Sequence, residues 1–444
     1  MTTASELPGP EDLRVERLGE PSRPSPLQGG DERFVDDSDG VLVAARTSDL
    51  AKAEGPERLA FEVAGARRHI FFQPEGLTCG IVTCGGLCPG LNDVVRSLVL
   101  TLNYAYGVRR IVGFRYGYVG LSSAAHGEPI LLDPELVESI HLQGGTLLGT
   151  SRGERDVSDM VDTLVRWWVG ILFAIGGDGT LRGASEIARE IQDRNLKISV
   201  IGVPKTIDND LLWTERSFGF STAVEEARRV LDGAHAEARD AWNGVGLVKL
   251  MGRYSGFITA YATLSSGDVN FCLVPEIPFD VEGPGSFLEA LEKRLASRHH
   301  AVVVVAEGAG QEHIERFGET ERDASGNVRP KDIGSFLRDA IERHFRRKAT
   351  QVTVKYIDPS YTIRSLPANS MDSAFCLMLG QHAVHAGMAG RTDMMVGYWN
   401  QCFTHVPLTI VAGRRKQLDP RGDSWTRVLA TTGQPPSMLS REHR

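Results

Sequence analysis

Apolar residues in this chain fall into short runs separated by glycine-rich or polar breaks, and stretches with helical spacing lie between them. Gly80-Ile81-Val82-Thr83, Ile111 to Phe114, Gly170 to Ile175 and Ile198 to Val203 read as buried strands. Asp93 to Ala105, with Val94, Leu98 and Leu102 on one face, reads as a helix, as do Val161 to Trp168 and Ser185 to Gln192. A second block repeats the pattern. Its strands are Gly246 to Leu250, Phe271 to Val274, Ala301 to Ala306 and Val352 to Tyr356. Its helix is Thr222 to Ala238, opened by the capping-box pattern Thr222-Ala223-Val224-Glu225, and Phe375 to Gly387, further along the chain, also reads as a helix. Strands alternating with helices predict parallel sheets covered on both faces. No solenoid repeat is present, but two successive blocks of this kind predict two α/β domains facing each other across a cleft.

The breaks carry the chemistry. After the first strand comes Gly85-Gly86-Leu87-Cys88-Pro89-Gly90-Leu91-Asn92 and then a helix, an order that aims backbone N–H groups and a helix N-terminus at an anion. It matches neither a Walker A loop nor a strict GxGxxG. Gly144 to Gly153 is a second glycine-dense loop, in which Ser151 and Arg152 offer donors suited to phosphate oxygens. In Gly176-Gly177-Asp178-Gly179-Thr180 a carboxylate stands among glycines at a strand end. The segment reads as a tight turn or as a place for Mg²⁺ beside a polyphosphate. Pro204-Lys205-Thr206-Ile207-Asp208-Asn209-Asp210 follows another strand, where open α/β sheets bind ligands. Taken alone, it is equally a polar turn. Met251-Gly252-Arg253 and Glu307-Gly308-Ala309-Gly310 end two strands of the second block, and Tyr116 to Gly120 is expected as a loop.

Composition narrows the classes. A length of 444 residues implies two domains, and 41% hydrophobic residues suffice for two cores. A formal net charge of -8 argues against a general nucleic-acid binder. Six cysteines make no disulfide framework, and Cys79, Cys84 and Cys88 lack a second pair at zinc spacing, so they read as apolar fillers in a reducing compartment. No apolar run is long enough to span a membrane, and the N-terminus has no secretory pattern, so the expected location is cytoplasmic. Residues 1 to about 40 read as a largely disordered or surface-bound arm. Arg67, Arg68 and His69 read as a solvated loop, residues 310–330 as a surface loop, and His382 and His385 as packing or surface residues.

Taken together, Gly85-Gly86-x-x-Pro89-Gly90-x-Asn92, Gly176 to Thr180, Pro204 to Asp210 and Met251-Gly252-Arg253 resemble the 6-phosphofructokinases. The resemblance continues through Pro275-Glu276-Ile277-Pro278, Ala306 to Gly310 and Tyr361-Thr362-Ile363-Arg364, in family order over about residues 69 to 414. The phrases around Ile81–Asn92 and Val248–Arg253 look most like the plant and trypanosomatid branch. The resemblance implies transfer of the γ-phosphoryl of ATP to the 1-hydroxyl of fructose 6-phosphate with Mg²⁺, a glycolytic step. It implies Asp208 as catalytic base, supported by Asp210, with Lys205 and Arg253 beside the reacting groups. Asp178 matches the metal position. Gly86, Ser151, Arg152, Gly177, Gly179 and Thr180 fall on the nucleotide side. Thr206, Ile207, Asp208, Met251, Gly252, Arg253 and Glu307 match positions that hold the sugar, and Tyr361 and Arg364 positions near its 6-phosphate.

Two departures bear on the donor and on assembly. Pyrophosphate users typically carry Lys where Lys205 stands, but also Asp where Gly179 stands, a side chain that fills the space of the ATP α-phosphate. Gly179 leaves that space open, which favours ATP over the alternative, pyrophosphate. A catalytically silent sensor is a further alternative, and intact Asp178, Asp208 and Arg253 speak against it. Near Gly244 the bacterial enzymes carry an Arg that reaches a neighbouring subunit's substrate, and none stands here. The expected fold is α/β, with two doubly wound, Rossmann-like parallel-sheet domains. Residues 78–219 plus 363–414 form the donor domain, and 220–362 the sugar-phosphate domain. Residues 1–77 form an N-terminal extension and 415–444 a C-terminal tail. The expected assembly is a homo-oligomer, a dimer or tetramer, with no nucleic-acid or membrane partner.

Overall fold

The structure, a computed structural model, describes residues 7–28, 30, 33–44, 59–123, 125–153, 156–315 and 330–440. The chain divides into two compact units. Met1–Ile207, Leu211–Gly219 and Ser365–Arg415 form the first, and Asp208–Asp210, Phe220–Arg364 and Lys416–Arg444 the second.

The first unit is built on a nine-stranded sheet. Its centre is five parallel strands in the order Met394–Trp399, Ser199–Pro204, Val169–Gly176, Thr78–Thr83, Arg110–Phe114. Ile130–Leu132 closes one edge antiparallel, and Cys402–Pro407, Ala60–Val63 and Gly40–Leu42 extend the other. Every residue of Thr78–Thr83 and Ser199–Pro204 is buried, the signature of strands covered on both faces. Helices Leu91–Leu100, Val157–Arg166, Asp178–Asp193 and Ser370–Met388 supply the cover. After Thr78–Thr83 the chain adds its next strand on one side, and Val169–Gly176 then joins on the other. The strand order therefore switches between these two. Loops at such a switch point leave a crevice at the carboxyl ends of the strands, and here they are the glycine loops Gly85–Gly90 and Gly177.

The second unit has a four-stranded, wholly parallel sheet in the order Phe271–Leu273, His300–Ala306, Gly244–Leu250, Thr353–Ile357. Helices Phe220–Asp240, Phe257–Ser266, Phe287–Arg298 and Ile333–Arg347 accompany it. Gly244–Leu250 lies between later strands on both sides, so its C-terminal end, Met251-Gly252-Arg253, is again at a switch point. Both units are Rossmann-like.

Several local expectations shift. The helix expected from Thr222 begins at Phe220, so Thr222 lies inside its first turn and does not cap it. Tyr116–Gly120 is mostly a 3-10 helix, Gly117–Leu121. The residues expected as a C-terminal tail carry the helix Asp423–Thr432, whose Trp425 and Val428 are buried with Cys272 and Val274. Much of the N-terminal extension packs. Glu16–Arg17 pairs with Arg391–Thr392, Arg23–Pro24 with His69–Ile70, and Leu13 joins the first unit's core. Arg67 is no solvated residue but 5% exposed, bonded to Asp37 (2.6 Å) and Glu62 (3.0 Å). The expected arm falls partly on residues 1–6, 29, 31 and 32, and the expected 310–330 loop on 316–329, all outside the described residues.

Candidate functional site

In the first unit, the strand-end loops are stitched together by backbone and side-chain hydrogen bonds. Gly85 (φ 85°) and Gly90 (φ 99°) adopt the left-handed conformation that glycine allows without penalty. At Gly90 an added Cβ would also stand 2.7 Å from Cys376 Sγ. The Gly85 N–H donates to the Ser151 carbonyl (3.0 Å), and Thr150 Oγ1 donates to the Gly85 carbonyl (2.5 Å), so the loop bearing Ser151 and Arg152 is tied to the first glycine loop. Arg152 is exposed. Lys205, 6% exposed, donates from Nζ to the Gly86 carbonyl at 2.8 Å, which anchors a buried ammonium at the glycine loop.

Gly177 precedes the helix Asp178–Asp193, so Asp178 and Gly179 occupy its first turn, where backbone N–H groups and the helix dipole favour negative charge. Asp178 Oδ1 accepts from the Gly413 N–H at 2.7 Å, and Oδ2 lies 3.7 Å from Arg415 Nη2. Sequence reading missed Gly413 and Arg415, because a contact across 235 residues leaves no local pattern. Thr180 is buried, and its carbonyl accepts from Tyr118 OH (2.6 Å). A Cβ added to Gly179 meets no atom within 4 Å, whereas one at Gly176 would sit 2.2 Å from Thr180 Oγ1. Packing thus demands glycine at 176 and leaves 179 open. Among the described residues no group of three or more His, Cys, Asp or Glu side chains could hold a metal unaided. The Asp178 side chain is 13% exposed, and a single carboxylate suits Mg²⁺, which keeps several waters and takes its other oxygens from a phosphate.

Thr206 and Ile207 close the first unit's part of the Pro204–Asp210 loop, where the Thr206 carbonyl accepts from Ser217 Oγ at 2.5 Å. Asp208, Asn209 and Asp210 belong to the second unit. Asn209 has φ 54°, a left-handed turn that Asn tolerates, between the half-buried Asp208 and the buried Asp210. Ser255 Oγ lies 3.4 Å from the Asp208 carbonyl, and the Lys416 N–H donates to the Asp210 carbonyl at 2.7 Å.

The two switch-point strands of the second unit end on interlocked loops. The Glu307 N–H donates to the Leu250 carbonyl (2.9 Å), and the Gly308 N–H to the Gly252 carbonyl (3.1 Å). A Cβ at Gly308 would lie 1.9 Å from the Arg253 carbonyl oxygen, so glycine there lets Glu307 and Arg253 approach. Burial pushes the Glu307 carboxyl upward, opposed by the charges of Arg253, Lys249 and Arg364. The short helix Ser360–Arg364 presents an exposed Tyr361, with the Arg364 guanidinium 4.6 Å from its ring centroid. The sequence-nominated residues fall on loops at strand carboxyl ends, except Ser151 and Arg152 on the loop before Val157–Arg166, Asp178 to Thr180 in the first turn of their helix, and Tyr361 and Arg364 on the short helix after Thr353–Ile357. At Gly244 an added Cβ would stand 2.1 Å from the Ala238 carbonyl oxygen, so no Arg fits there without moving backbone.

The other candidates are structural. His385 Nδ1 is 2.8 Å from Tyr106 OH, His382 stacks on Phe403 at 4.5 Å, and burial depresses both imidazoles. Cys79, Cys84 and Cys88 are buried, and burial pushes the Cys84 thiol up to about 12.

Two Rossmann-like sheets whose switch-point loops carry glycines, carboxylates and cations define an α/β enzyme of the phosphoryl-transfer class. Residues 78–387 match the family model described as Phosphofructokinase, and the chain belongs to that family. A protein of Borreliella burgdorferi named ATP-dependent 6-phosphofructokinase is 47% identical over 439 residues, covering 96% of this chain and 98% of that one. A Trypanosoma brucei brucei protein of the same name is 45% identical over 430 residues (95% and 87%). Arabidopsis thaliana ATP-dependent 6-phosphofructokinase 7 is 44% identical over 422 residues (94% and 86%). Among solved structures, a pyrophosphate-dependent phosphofructokinase from Marinobacter aquaeolei superposes with a TM-score of 0.66 at 20% identity, covering 80% of this chain and 91% of that one, a likeness of fold. Among the described residues no helix is long and apolar enough to cross a membrane.

Proposed function

We infer that the chain is an enzyme that transfers the γ-phosphoryl group of ATP to the 1-hydroxyl of fructose 6-phosphate, giving fructose 1,6-bisphosphate and ADP. The observation that carries this reading is identity of 44–47% along nearly the whole chain to proteins named for that activity. Gly86, Ser151, Arg152, Gly177, Gly179 and Thr180 take the nucleotide, whose phosphates meet backbone N–H groups at the start of the Asp178–Asp193 helix. Asp178 is the residue that would hold Mg²⁺, and the ion would supply neutralisation of the charge that develops on the transferred group. Thr206, Ile207, Met251, Gly252, Arg253 and Glu307 hold the sugar, and Tyr361 and Arg364 its 6-phosphate.

Asp208 takes the proton of the 1-hydroxyl as its oxygen attacks the γ-phosphorus and the bond to the ADP oxygen breaks. Asp210 supports Asp208. Lys205 and Arg253 supply positive charge to the phosphoryl oxygens, the stabilisation on which phosphoryl transfer depends. The open space at Gly179 supports ATP rather than pyrophosphate as donor. We place the enzyme in the cytoplasm as a homo-oligomer, a dimer or tetramer, which light scattering tests.

Phosphorus NMR of purified protein with ATP, Mg²⁺ and fructose 6-phosphate tests the reaction. Fructose 1,6-bisphosphate and ADP are expected in equal amounts, and ADP with free phosphate alone contradicts it.

A further inference from the structure

We propose that Lys249 is a positioning residue that sets affinity for the sugar phosphate by holding the turn that carries Tyr361 and Arg364. This rests on the reading of Tyr361 and Arg364 as sugar-phosphate contacts.

Lys249 stands next to last on Gly244–Leu250, a strand paired on both sides, so its backbone is fixed. Its side chain is 14% exposed, and Nζ donates to Asp358 Oδ2 at 2.8 Å and lies 3.3 Å from Asp332 Oδ1. Each carboxylate starts a helix. Asp332 caps Ile333–Arg347, accepting from the Gly334 and Ser335 N–H groups, and receives Tyr356 OH at 2.8 Å. Asp358 accepts from Ser360 N–H (3.1 Å) and Oγ (2.6 Å) at the start of Ser360–Arg364.

One ammonium therefore clamps the beginnings of two helices. The Ile333–Arg347 helix has four turns of its own packing. Ser360–Arg364 is a little over one turn, too short to hold itself. Its direction depends on Asp358, and Asp358 depends on Lys249. Burial alone would raise the Asp358 carboxyl, but hydrogen bonds from Lys249 and Ser360 outweigh it and hold it low. Without the ammonium, Asp332 and Asp358 become two neighbouring carboxylates with no cation between them, and the turn that both face is pushed away. Arg364 Nε is buried without a hydrogen-bond partner, so the guanidinium's aim follows the turn that carries it.

The test is steady-state kinetics and thermal melting of Lys249→Met, Lys249→Arg and the double variant Lys249→Met/Asp358→Asn. Lys249→Met is expected to raise KM for fructose 6-phosphate about tenfold or more, as a partly buried carboxylate left unpaired would. Its kcat and KM for ATP stay within about threefold of wild type, the mark of lost binding rather than lost chemistry. Lys249→Arg restores most of the affinity, and the double variant recovers part of it because the uncompensated charge is gone. An unchanged KM for fructose 6-phosphate in a folded Lys249→Met protein overturns the proposal, as does a fall in kcat with no change in KM. A wild type that phosphorylates fructose 6-phosphate beside an unaffected Lys249→Met sinks the positioning role alone. A wild type that neither binds nor phosphorylates it sinks both readings.

Discussion

Replacing Gly179 by Asp separates stability from donor use. An added Cβ at Gly179 meets nothing within 4 Å, so the side chain enters open space and displaces no packed atom. Residue 179 is second in the helix Asp178–Asp193, where a carboxylate near the N-terminus is worth about 0.3–1 kcal/mol and a glycine is a poor helix former. The melting temperature of Gly179→Asp should hold or rise. ATP use should fall, because the new carboxylate occupies space assigned to the nucleotide and repels its phosphates. Two unit charges 4 Å apart repel by about 4 kcal/mol at an effective dielectric of 20. A bound cation offsets part of that, and ~2–4 kcal/mol at 1.4 kcal/mol per decade is a loss of about 30- to 700-fold in kcat/KM for ATP. A coupled assay for ADP and calorimetric melting read the two arms. Undiminished ATP use in the variant refutes the steric reasoning, and a collapse of the melting temperature refutes the claim that the space is open.

Two further predictions follow. Asp208→Ala should lower kcat by about 10²–10⁴-fold, the usual worth of a positioned base, with a melt close to wild type. Near-normal turnover would remove Asp208 from the base role. Glu62→Gln probes the buried ion cluster of the first unit, in which Glu62 meets Arg67 (3.0 Å), Arg391 (2.9 Å) and His405 (2.9 Å). Burial alone would raise the Glu62 carboxyl, but the His405 hydrogen bond and the arginine charges outweigh it and hold it far below its ordinary 4.5. A depressed carboxyl contributes stability that is present above about pH 4.5 and lost as pH falls below it. The variant should therefore be destabilised by about 1–3 kcal/mol at pH 7, because Arg67 and Arg391 keep Asp37 as a partner but lose one of their two carboxylates. Its stability should vary less with pH on the acid side than that of wild type. Denaturant melts from pH 7 to pH 3 that run parallel for the two proteins would contradict the assignment.

The parts of this molecule that could be read from its sequence are those whose cause is local. Ile171 to Ile175 is apolar on both faces because the strand is buried on both faces, and that signal needs no neighbour to interpret. The glycine loops announce themselves because positive φ and close approach restrict the residue type, as at Gly85, Gly90 and Gly252. What escaped is set by partners far along the chain. Arg67 looks solvated until Asp37, Glu62 and the sheet edge close over it. Thr222 has capping-box chemistry, but the helix starts two residues earlier at Phe220, a buried aromatic. Lys249 passes as an unremarkable strand residue, and only Asp332 and Asp358, brought to it by two other elements, give its charge a role. Asp178 was nominated from its glycine neighbours, while Gly413 and Arg415, which hold it, carry no mark of that duty.

The most direct test of the account is a side-by-side measurement of kcat/KM for fructose 6-phosphate phosphorylation with ATP and with pyrophosphate, at saturating Mg²⁺. Turnover with ATP and little or none with pyrophosphate is the predicted result. Preference for pyrophosphate would show that Lys205, and not the open space at Gly179, decides the donor.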